Sequence, residues 1–159
     1  MPVTLRPLRT YDAGFVTYVR NQCSHLLHDD RQFSLLETHR WYEEQKPKWF
    51  CIQNREGRVG YVRTSTHPAI PRSMSIGCDI MTGCKRRGYA TDAYDILFNT
   101  LIKHGPYCFF NCQILSHNLG SLAFALNYGF HIYDVETCYC KRDDRMVDNL
   151  YLSLNGSDR

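Results

Sequence analysis

The segment Ile80-Met81-Thr82-Gly83-Cys84-Lys85-Arg86-Arg87-Gly88-Tyr89-Ala90 decides the fold, because the hydrophobic period changes within it. Before this segment, residues 74–81 alternate apolar and polar side chains, as a β-strand does. After it, apolar residues recur at the spacing of an amphipathic helix. These residues are Ala90, Ala93, Tyr94, Leu97, Phe98 and Leu101. The sequence therefore predicts a strand that passes through a short basic loop into a long helix.

The loop between this strand and this helix has the properties of an anion site. The first turn of a helix offers unpaired N–H groups and the positive end of the helix dipole. Gly88 lets an anion approach the backbone closely, and Lys85, Arg86 and Arg87 add positive charge. Such a site suits a pyrophosphate, although neither G-x-x-x-x-G-K-[ST] nor G-x-G-x-x-G is present. The alternative is a basic loop that only caps a helix.

The rest of the chain predicts the element order β-α-α-β-β-β-α-β-α-β-β. Strands are predicted at residues 3–9, 49–53, 59–64, 74–81, 107–115, 130–140 and 146–154. Helices are predicted to follow the N-cap candidate Thr10 and the capping box Ser34–Glu37, and to end near His104 and at Gly129. A loop is predicted around Pro68 and Pro71. The last helix is predicted from the spacing of Leu119, Leu122, Ala123 and Leu126.

Length and composition bound the class of protein. The 159 residues fit a single domain covering residues 1–159, and the element order predicts an α/β (α+β) fold. No run of about 18 apolar residues and no signal-peptide core occurs, so we expect a soluble, cytoplasmic protein without membrane contact. The net charge of +3 is too small to favour nucleic acid as a partner.

The cysteines are expected to be reduced and mostly structural. The chain has eight, which in a secreted protein would indicate disulfides. Without a signal peptide, free thiols are the better interpretation. Neither the spacing Cys108-x-x-x-Cys112 nor Cys138-x-Cys140 forms a zinc pattern with nearby histidines, so no metal is expected.

The basic loop resembles the acetyl-CoA signature of the GNAT superfamily, [QR]-x-x-G-x-[GA]. The matching residues are Lys85, Arg86, Arg87, Gly88, Tyr89 and Ala90, with lysine as a departure in the first place. Further segments resemble the RimJ/RimL-like branch of that superfamily. These segments are Leu5-Arg6-Pro7-Leu8, Val59-Gly60-Tyr61, Asn118-x-x-Ser121 and Gly129-Phe130. The resemblance implies a GNAT-like domain with a mixed sheet of about seven strands flanked by about four helices.

The resemblance also implies residue roles around acetyl-CoA, the expected cosubstrate. Ile80 and Met81 would offer main-chain groups to the pantetheine arm where the strand leaves its neighbour. Lys85 through Ala90 would hold the pyrophosphate, and Asn118 would hydrogen-bond the pantetheine. Many relatives protonate the leaving thiolate with a tyrosine four residues before the Gly-Phe glycine, but this sequence has Ala125 there. Ser121, Tyr128 or a water are therefore the candidate proton donors.

The chemistry expected from this resemblance is direct attack of a deprotonated amine on the thioester. A strand N–H would hold the oxyanion, and the thiolate would leave with a proton. An alternative is a two-step route through an acyl-cysteine at Cys78 or Cys84.

The acceptor is expected to be a small amine. Residues 33–41 resemble acetyltransferases that act on nucleotide-linked amino sugars, such as those of the pseudaminic-acid pathway, so His39 and Trp41 could contact a sugar or base. Equally, both residues could be structural. Asp79 and Glu43 are possible bases. A RimJ/RimL-like protein N-terminal acetyltransferase and a non-catalytic acetyl-CoA-binding domain are the alternatives, and a monomer or homodimer is expected.

Overall fold

Seven strands and four helices follow one another in the predicted order. In the computed structural model, which describes residues 2–66 and 69–158, Pro68 of the predicted loop lies outside the described residues. The strands are β1 (Thr4–Pro7), β2 (Phe50–Asn54), β3 (Gly57–Ser65), β4 (Ser73–Ile80), β5 (Phe109–Leu115), β6 (His131–Arg142) and β7 (Arg145–Asn155). The helices are α1 (Ala13–Cys23), α2 (Leu35–Gln45), α3 (Tyr89–His104) and α4 (Leu119–Tyr128).

The strands form one mixed sheet in the order β1-β2-β3-β4-β5-β7-β6. All neighbours pair antiparallel except β4 and β5, which are parallel. This parallel pairing covers only Ser73–Ser75 against Phe109–Asn111. Asn111 fixes the paired end, because its side chain accepts a hydrogen bond from the Ser75 hydroxyl (2.6 Å) and donates one to the Ser73 hydroxyl (2.8 Å). Beyond Ser75 the two strands diverge and leave a cleft in the middle of the sheet.

The helices cover opposite faces of the sheet. Successive residues of a strand point to opposite faces, and the neighbours Tyr61 and Val62 of β3 belong to separate hydrophobic clusters. Tyr61 packs with Val16 and Val19 of α1, whereas Val62 belongs to the larger cluster that includes α3 and α4. The cleft is therefore bordered by α1 on one face and by α3 and α4 on the other.

An aromatic cluster holds α3 and α4 against β5. Tyr94 of α3 makes edge-to-face contacts with Phe124 and Tyr128 of α4, at centroid distances of 5.1 and 5.3 Å. Phe98 of α3 packs edge-to-face on Phe110 of β5 at 4.3 Å. Such pairs stabilise the fold by about 0.5–1.5 kcal/mol each beyond their burial. The long helix predicted from its period is confirmed, and it ends at His104 as expected.

The helix starts agree with the sequence in one case and differ in another. Ser34 and Glu37 form the predicted capping box. Thr10, in contrast, is not the N-cap of α1: it begins a 3-10 turn (Thr10–Asp12), and Asp12 precedes the helix. The reason is that the fully buried Asp12 carboxylate accepts two hydrogen bonds from Arg6, at 2.7 and 2.8 Å, and one from the Arg9 N–H at 2.9 Å.

The predicted helix α4 is present, but its buried face is not the one formed by the residues that indicated it. Leu119 and Leu126 are 70% and 44% exposed, whereas Ala125 and Tyr128 are buried. The helix Leu119–Tyr128 is apolar nearly all round, so its period could not select a face. Its end is as predicted, with Gly129 in the left-handed region at φ 110°.

All eight cysteines are free, as expected. Two of them, Cys23 and Cys51, are buried, and Cys138 is exposed. Across the part of the chain that the structure describes, no helix is long and apolar enough to cross a membrane. In the same described residues, no group of three or more His, Cys, Asp or Glu side chains could hold a metal ion.

Gly60 is predicted to be required where β3 and β4 approach each other. A Cβ atom at Gly60 would lie 2.4 Å from the carbonyl oxygen of Asp79, so Gly60→Ala must displace the strand beside the cleft. We expect a loss of about 1–3 kcal/mol in the free energy of unfolding, and a fall in Tm of about 2–4 °C per kcal/mol. In the control Gly120→Ala the new methyl group meets no atom within 4 Å. Its Tm, measured by thermal unfolding, should therefore equal that of the wild type or be slightly higher. An unchanged Tm for Gly60→Ala would contradict the expectation.

Candidate active site

The cleft exposes main-chain groups of β4 that no neighbouring strand uses. The Met81 N–H donates to the Val59 carbonyl on β3 at 2.9 Å. Because alternate residues of a strand direct their N–H and C=O groups to opposite sides, those of Cys78 and Ile80 point towards β5. Pairing with β5 ends at Ser75, so these groups border the cleft. Buried main-chain groups require partners, which a bound ligand in extended form can supply.

The first of two adjoining cavities lies at the N-terminus of α3, and we name it the α3 cavity. It has a volume of about 680 Å³. One wall is the basic loop, from Lys85 to Thr91, and the opposite wall is the start of α4, from His117 to Ser121. The cavity continues to Cys78 on β4.

The basic loop is folded as an anion-binding concavity. Arg86 and Gly88 are both left-handed, with φ of 62° and 80°, and they flank Arg87. Alternation of this kind turns successive N–H groups towards one point. Within the described chain, the main-chain N–H groups of residues 86–91 donate to no protein acceptor. Together with the three cationic side chains, they fit the pyrophosphate of a CoA molecule.

The second cavity extends from β3 and the loop after α1 through the cleft to β5 and α4, and we name it the β3 cavity. It has a volume of about 540 Å³. Trp49 and Tyr61 form an aromatic wall, with rings parallel within 4° and centroids 5.5 Å apart. The two cavities share Cys78 and Ser121 among their lining residues. A long ligand in one cavity and a small one in the other would thus meet where β4 leaves β5.

The sequence pattern that defines the acetyltransferase (GNAT) domain matches residues 3–131. The chain belongs to the GNAT acetyltransferase family. It is therefore an acetyl-CoA-dependent N-acetyltransferase, with acetyl-CoA as cosubstrate. No curated protein sequence matches it.

Solved structures of acetyltransferases share this fold. Spermidine N-acetyltransferase from Vibrio cholerae, in complex with CoA and spermine, has a TM-score of 0.87 and 15% identity, covering 98% of this chain and 96% of that chain. A Salmonella typhimurium protein solved with acetyl-CoA has a TM-score of 0.82 and 14% identity over 100% and 96% of the two chains. Ribosomal-protein-alanine N-acetyltransferase from Brucella melitensis has a TM-score of 0.79 and 13% identity, over 96% and 99%. At these identities the likeness shows the fold alone.

In this GNAT chain, most of the predicted cosubstrate residues line the α3 cavity. They are Ile80, Lys85, Arg86, Arg87, Gly88, Tyr89, Ala90 and Asn118. Met81 does not line it: its N–H bonds to Val59 and its C=O accepts from Cys84. Tyr89 contributes its backbone, because its buried side chain accepts a hydrogen bond from Asn54.

The two predicted proton donors lie in different surroundings. Ser121 lines both cavities, and its N–H is capped by the Asn118 side chain at 3.3 Å. Tyr128 lines neither cavity; its hydroxyl donates to Asp95 at 2.7 Å within the aromatic cluster. Ala125, where relatives have a tyrosine, lines the β3 cavity with its methyl group. The geometry therefore favours Ser121 over Tyr128.

The two predicted acceptor contacts do not line the β3 cavity. His39 is exposed on α2. Trp41 packs on Trp49 at a centroid distance of 4.7 Å, so it supports the aromatic wall from behind. Neither residue is among those that form the cavity surface. The carboxylate of Glu43, a candidate base, instead accepts a hydrogen bond from Thr10.

Most ionisable groups of the β3 cavity are poor proton acceptors. The hydrogen bond from Arg31 lowers the pKa of Asp29 to about 2. Asp79 is paired with Arg63 at 2.9 Å. Burial raises the pKa of Tyr61 and of Tyr94 well above the usual range of tyrosine.

The cysteine route is disfavoured for a related reason. The thiolate is the nucleophilic form of cysteine, and burial raises the pKa of the Cys78 thiol far above its usual value. Burial likewise raises the pKa of Cys112 to about 12. Among the described residues, no histidine hydrogen-bonds to Cys78 or Cys84.

His28 is a candidate proton acceptor of the β3 cavity that sequence reasoning missed. Its Nε2 lies 2.8 Å from the Oδ1 of the buried Asn149, whose amide nitrogen donates to Gln113 at 3.3 Å. Because the Asn149 oxygen accepts, Nε2 is the donor of this pair, and Nδ1 is the ring nitrogen left for a ligand. His28 also lines the β3 cavity, so its imidazole is a candidate base for a ligand bound there.

Two arginines hold the loop that carries His28. Arg20 of α1 donates to the carbonyl oxygens of Asp29 (2.7 Å) and Arg31 (2.8 Å). Arg142 of β6 donates to the carbonyl oxygen of His28 at 2.9 Å. These links join residues up to 114 positions apart, which no local motif reveals.

Gly88 is predicted to be needed for CoA binding. Left-handed φ costs a residue with a Cβ about 1–2 kcal/mol, so Gly88→Ala should distort the N–H concavity and raise the Kd for acetyl-CoA about tenfold, measured by titration calorimetry. The control Gly83→Ala lies in the same loop, with open space around its Cβ and no positive φ, and should bind as wild type does. Equal Kd values for both variants and wild type would contradict the assignment of this loop.

Proposed function

We propose that residues 1–159 form one acetyltransferase domain that transfers the acetyl group to a primary amine of a small molecule by direct attack. The observation that carries this proposal is the junction of the α3 and β3 cavities at Cys78 and Ser121. Two substrates entering from opposite sides would be brought together there, and such placement supplies much of the acceleration in a two-substrate reaction.

The α3 cavity is assigned to the donor. The main-chain N–H groups from Arg86 to Ala90, with the cationic side chains of Lys85, Arg86 and Arg87, hold the pyrophosphate. The main chain of Ile80 pairs with the pantetheine amides, because its groups face the open side of β4. Asn118 lines the same path, but its side chain already caps α4 and bonds to Leu26, so it supports the pantetheine mainly by shaping the cavity.

The junction of the cavities is assigned to the chemistry. Acetyl-CoA supplies a thioester when bound. His28 accepts the proton of the attacking amine through Nδ1. The Cys78 N–H, on the open side of β4 where both cavities meet, stabilises the negative charge that develops on the carbonyl oxygen. Ser121 gives a proton to the departing thiolate.

A nucleotide-linked amino sugar is the first acceptor class to test. The β3 cavity supports this choice, because it is recessed and has the Trp49–Tyr61 wall, against which a base or sugar ring can stack. A protein N-terminus would call for a groove with an acidic lip, and Asp29 near the mouth is already engaged by Arg31 and Arg20. The expected monomer or homodimer and the cytoplasmic location stay predictions.

The experiment that tests this proposal is turnover of acetyl-CoA with a panel of amines, with the acetylated product detected by mass. The panel contains nucleotide-linked 4-amino sugars, spermidine and ribosomal-protein N-terminal peptides. Turnover of an amino sugar supports the proposal. Turnover of peptides alone favours a RimJ/RimL-like activity, and binding of acetyl-CoA without any turnover favours a non-catalytic domain.

Ser121 and Tyr128 are predicted to differ in their effect on the rate. Ser121→Ala should lower kcat by about 10²-fold, the lower end of the range for loss of a general acid, with a KM for acetyl-CoA close to wild type. Tyr128→Phe should keep kcat and lose only about 1 kcal/mol of stability with its hydrogen bond to Asp95. Steady-state kinetics of both variants check this. The reverse pattern would make Tyr128 the proton donor.

His28→Gln is predicted to change the pH profile of kcat/KM. A general base must be deprotonated to act, so kcat/KM of the wild type should rise with pH as the catalytic base loses its proton. The variant should lose this rise and about 10²–10⁴-fold in rate. The control His131→Gln alters an exposed histidine that contacts Ser153 and should keep the wild-type profile. A rise preserved in His28→Gln would exclude His28 as the base.

A further inference from the structure

Arg63 lies on the floor of the β3 cavity, where its guanidinium group fits only because the residue opposite it on β4 is glycine. Its cross-strand partner on β4 is Gly77. A Cβ atom at Gly77 would lie 2.7 Å from Nη2 and 3.0 Å from Cζ of Arg63. The guanidinium group therefore lies flat over the glycine backbone, facing the cavity.

Asp79 forms an ion pair with one edge of this guanidinium group. The Nε atom of Arg63 lies 2.9 Å from Oδ2 of Asp79, whose side chain is only 6% exposed. The charge of Asp79 raises the pKa of Arg63 further, so the group is cationic throughout. A guanidinium group has five N–H donors in a fixed fork. Within the described residues, Nη1 and Nη2 have no hydrogen-bond partner, so the outer edge of the fork is available to a ligand.

The other charged groups of the β3 cavity are engaged by the protein. Arg20 donates to two loop carbonyl oxygens, and the carboxylate of Asp29 accepts from Arg31 at 2.7 Å. Arg63 is thus the charged side chain that keeps free donors towards the cavity. The neutral lining close to it includes Trp49, Ser75 and Asn111.

We propose that the outer edge of Arg63 binds an anionic group of the amine acceptor, a carboxylate or a phosphate. This inference rests on the proposed function, because it treats the β3 cavity as the acceptor site. Paired N–H donors in a fork match the two oxygens of such a group. A polyamine would instead need free carboxylates, and both carboxylates of this cavity are paired with arginine.

The test compares amines that differ only in the anionic group. With CoA saturating the α3 cavity, L-phenylalanine and L-phenylalaninamide, and glucosamine 6-phosphate and glucosamine, are titrated by calorimetry. Wild type should bind the anionic member of at least one pair about ten- to hundredfold more tightly. The pair that shows the preference identifies carboxylate or phosphate as the group. Equal affinity within both pairs, or binding of neither member, overturns the proposal.

Three variants separate the role of Arg63 from a loss of folding. Arg63→Gln should abolish the preference, and Arg63→Gln with Asp79→Asn should do the same without leaving a buried carboxylate unpaired. Gly77→Ala keeps the charge but displaces the fork, so it should also reduce the preference. The control Arg58→Gln removes another arginine of β3, which is paired with the buried carboxylate of Asp12. This variant should retain the preference for the anionic ligand. A preference that persists in the double variant overturns the assignment to Arg63.

These measurements do not depend on turnover. An anionic preference in protein that acetylates no amine would contradict the proposed function and leave the subsite intact. Turnover of neutral and anionic amines at equal kcat/KM, unchanged in Arg63→Gln, would retain the proposed function and exclude the subsite.

Discussion

The short parallel pairing between β4 and β5 is the constraint on which the site depends. Three residue pairs hold the strands together, and the Asn111 side chain ties both Ser73 and Ser75 at the closed end. Beyond that point β5 is paired on its other side by β7, while among the described residues β4 pairs with β3 alone. The main-chain groups of Cys78 and Ile80 are left with no strand to bond to, and a sheet that stayed closed would have no place for an extended ligand.

Buried and cavity-lining carboxylates of the structure are paired with arginine side chains. Asp12, Asp29 and Asp79 are held by arginines from three different segments. Pairing with arginine favours the ionised form of a carboxylate, and the pKa values of Asp12 and Asp29 are lowered in this way. This leaves His28 as the base of the proposed reaction, and the same pairing leaves one edge of Arg63 free. Structural ion pairs and proposed chemistry are therefore consequences of the same charge arrangement.

Local patterns predicted much of the fold. The period of α3, the capping box at Ser34 and the glycine after α4 each depend on residues within one or two turns, so they could be recognised directly. The basic loop could be recognised for the same reason. The buried face of α4 could not, because a helix that is apolar all round carries no directional signal.

The acceptor side of the site was not predictable in the same way. His39 and Trp41 were chosen from a resemblance in α2, but the β3 cavity is lined by β3, β4, β5, α4 and the loop after α1. His28 acquires its orientation from Asn149, 121 residues away, and Arg63 acquires its position from the absence of a side chain at Gly77. Contacts of this kind depend on the register of the assembled sheet.

A crystal structure of the protein with bound acetyl-CoA tests the central claim most directly. The account predicts that the pantetheine runs between β4 and β5 beyond Ser75, with the pyrophosphate at the N–H groups after Arg86 and the thioester beside the Cys78 N–H and Ser121. Acetyl-CoA bound outside this cleft, or a thioester in contact with neither Cys78 nor Ser121, would contradict it.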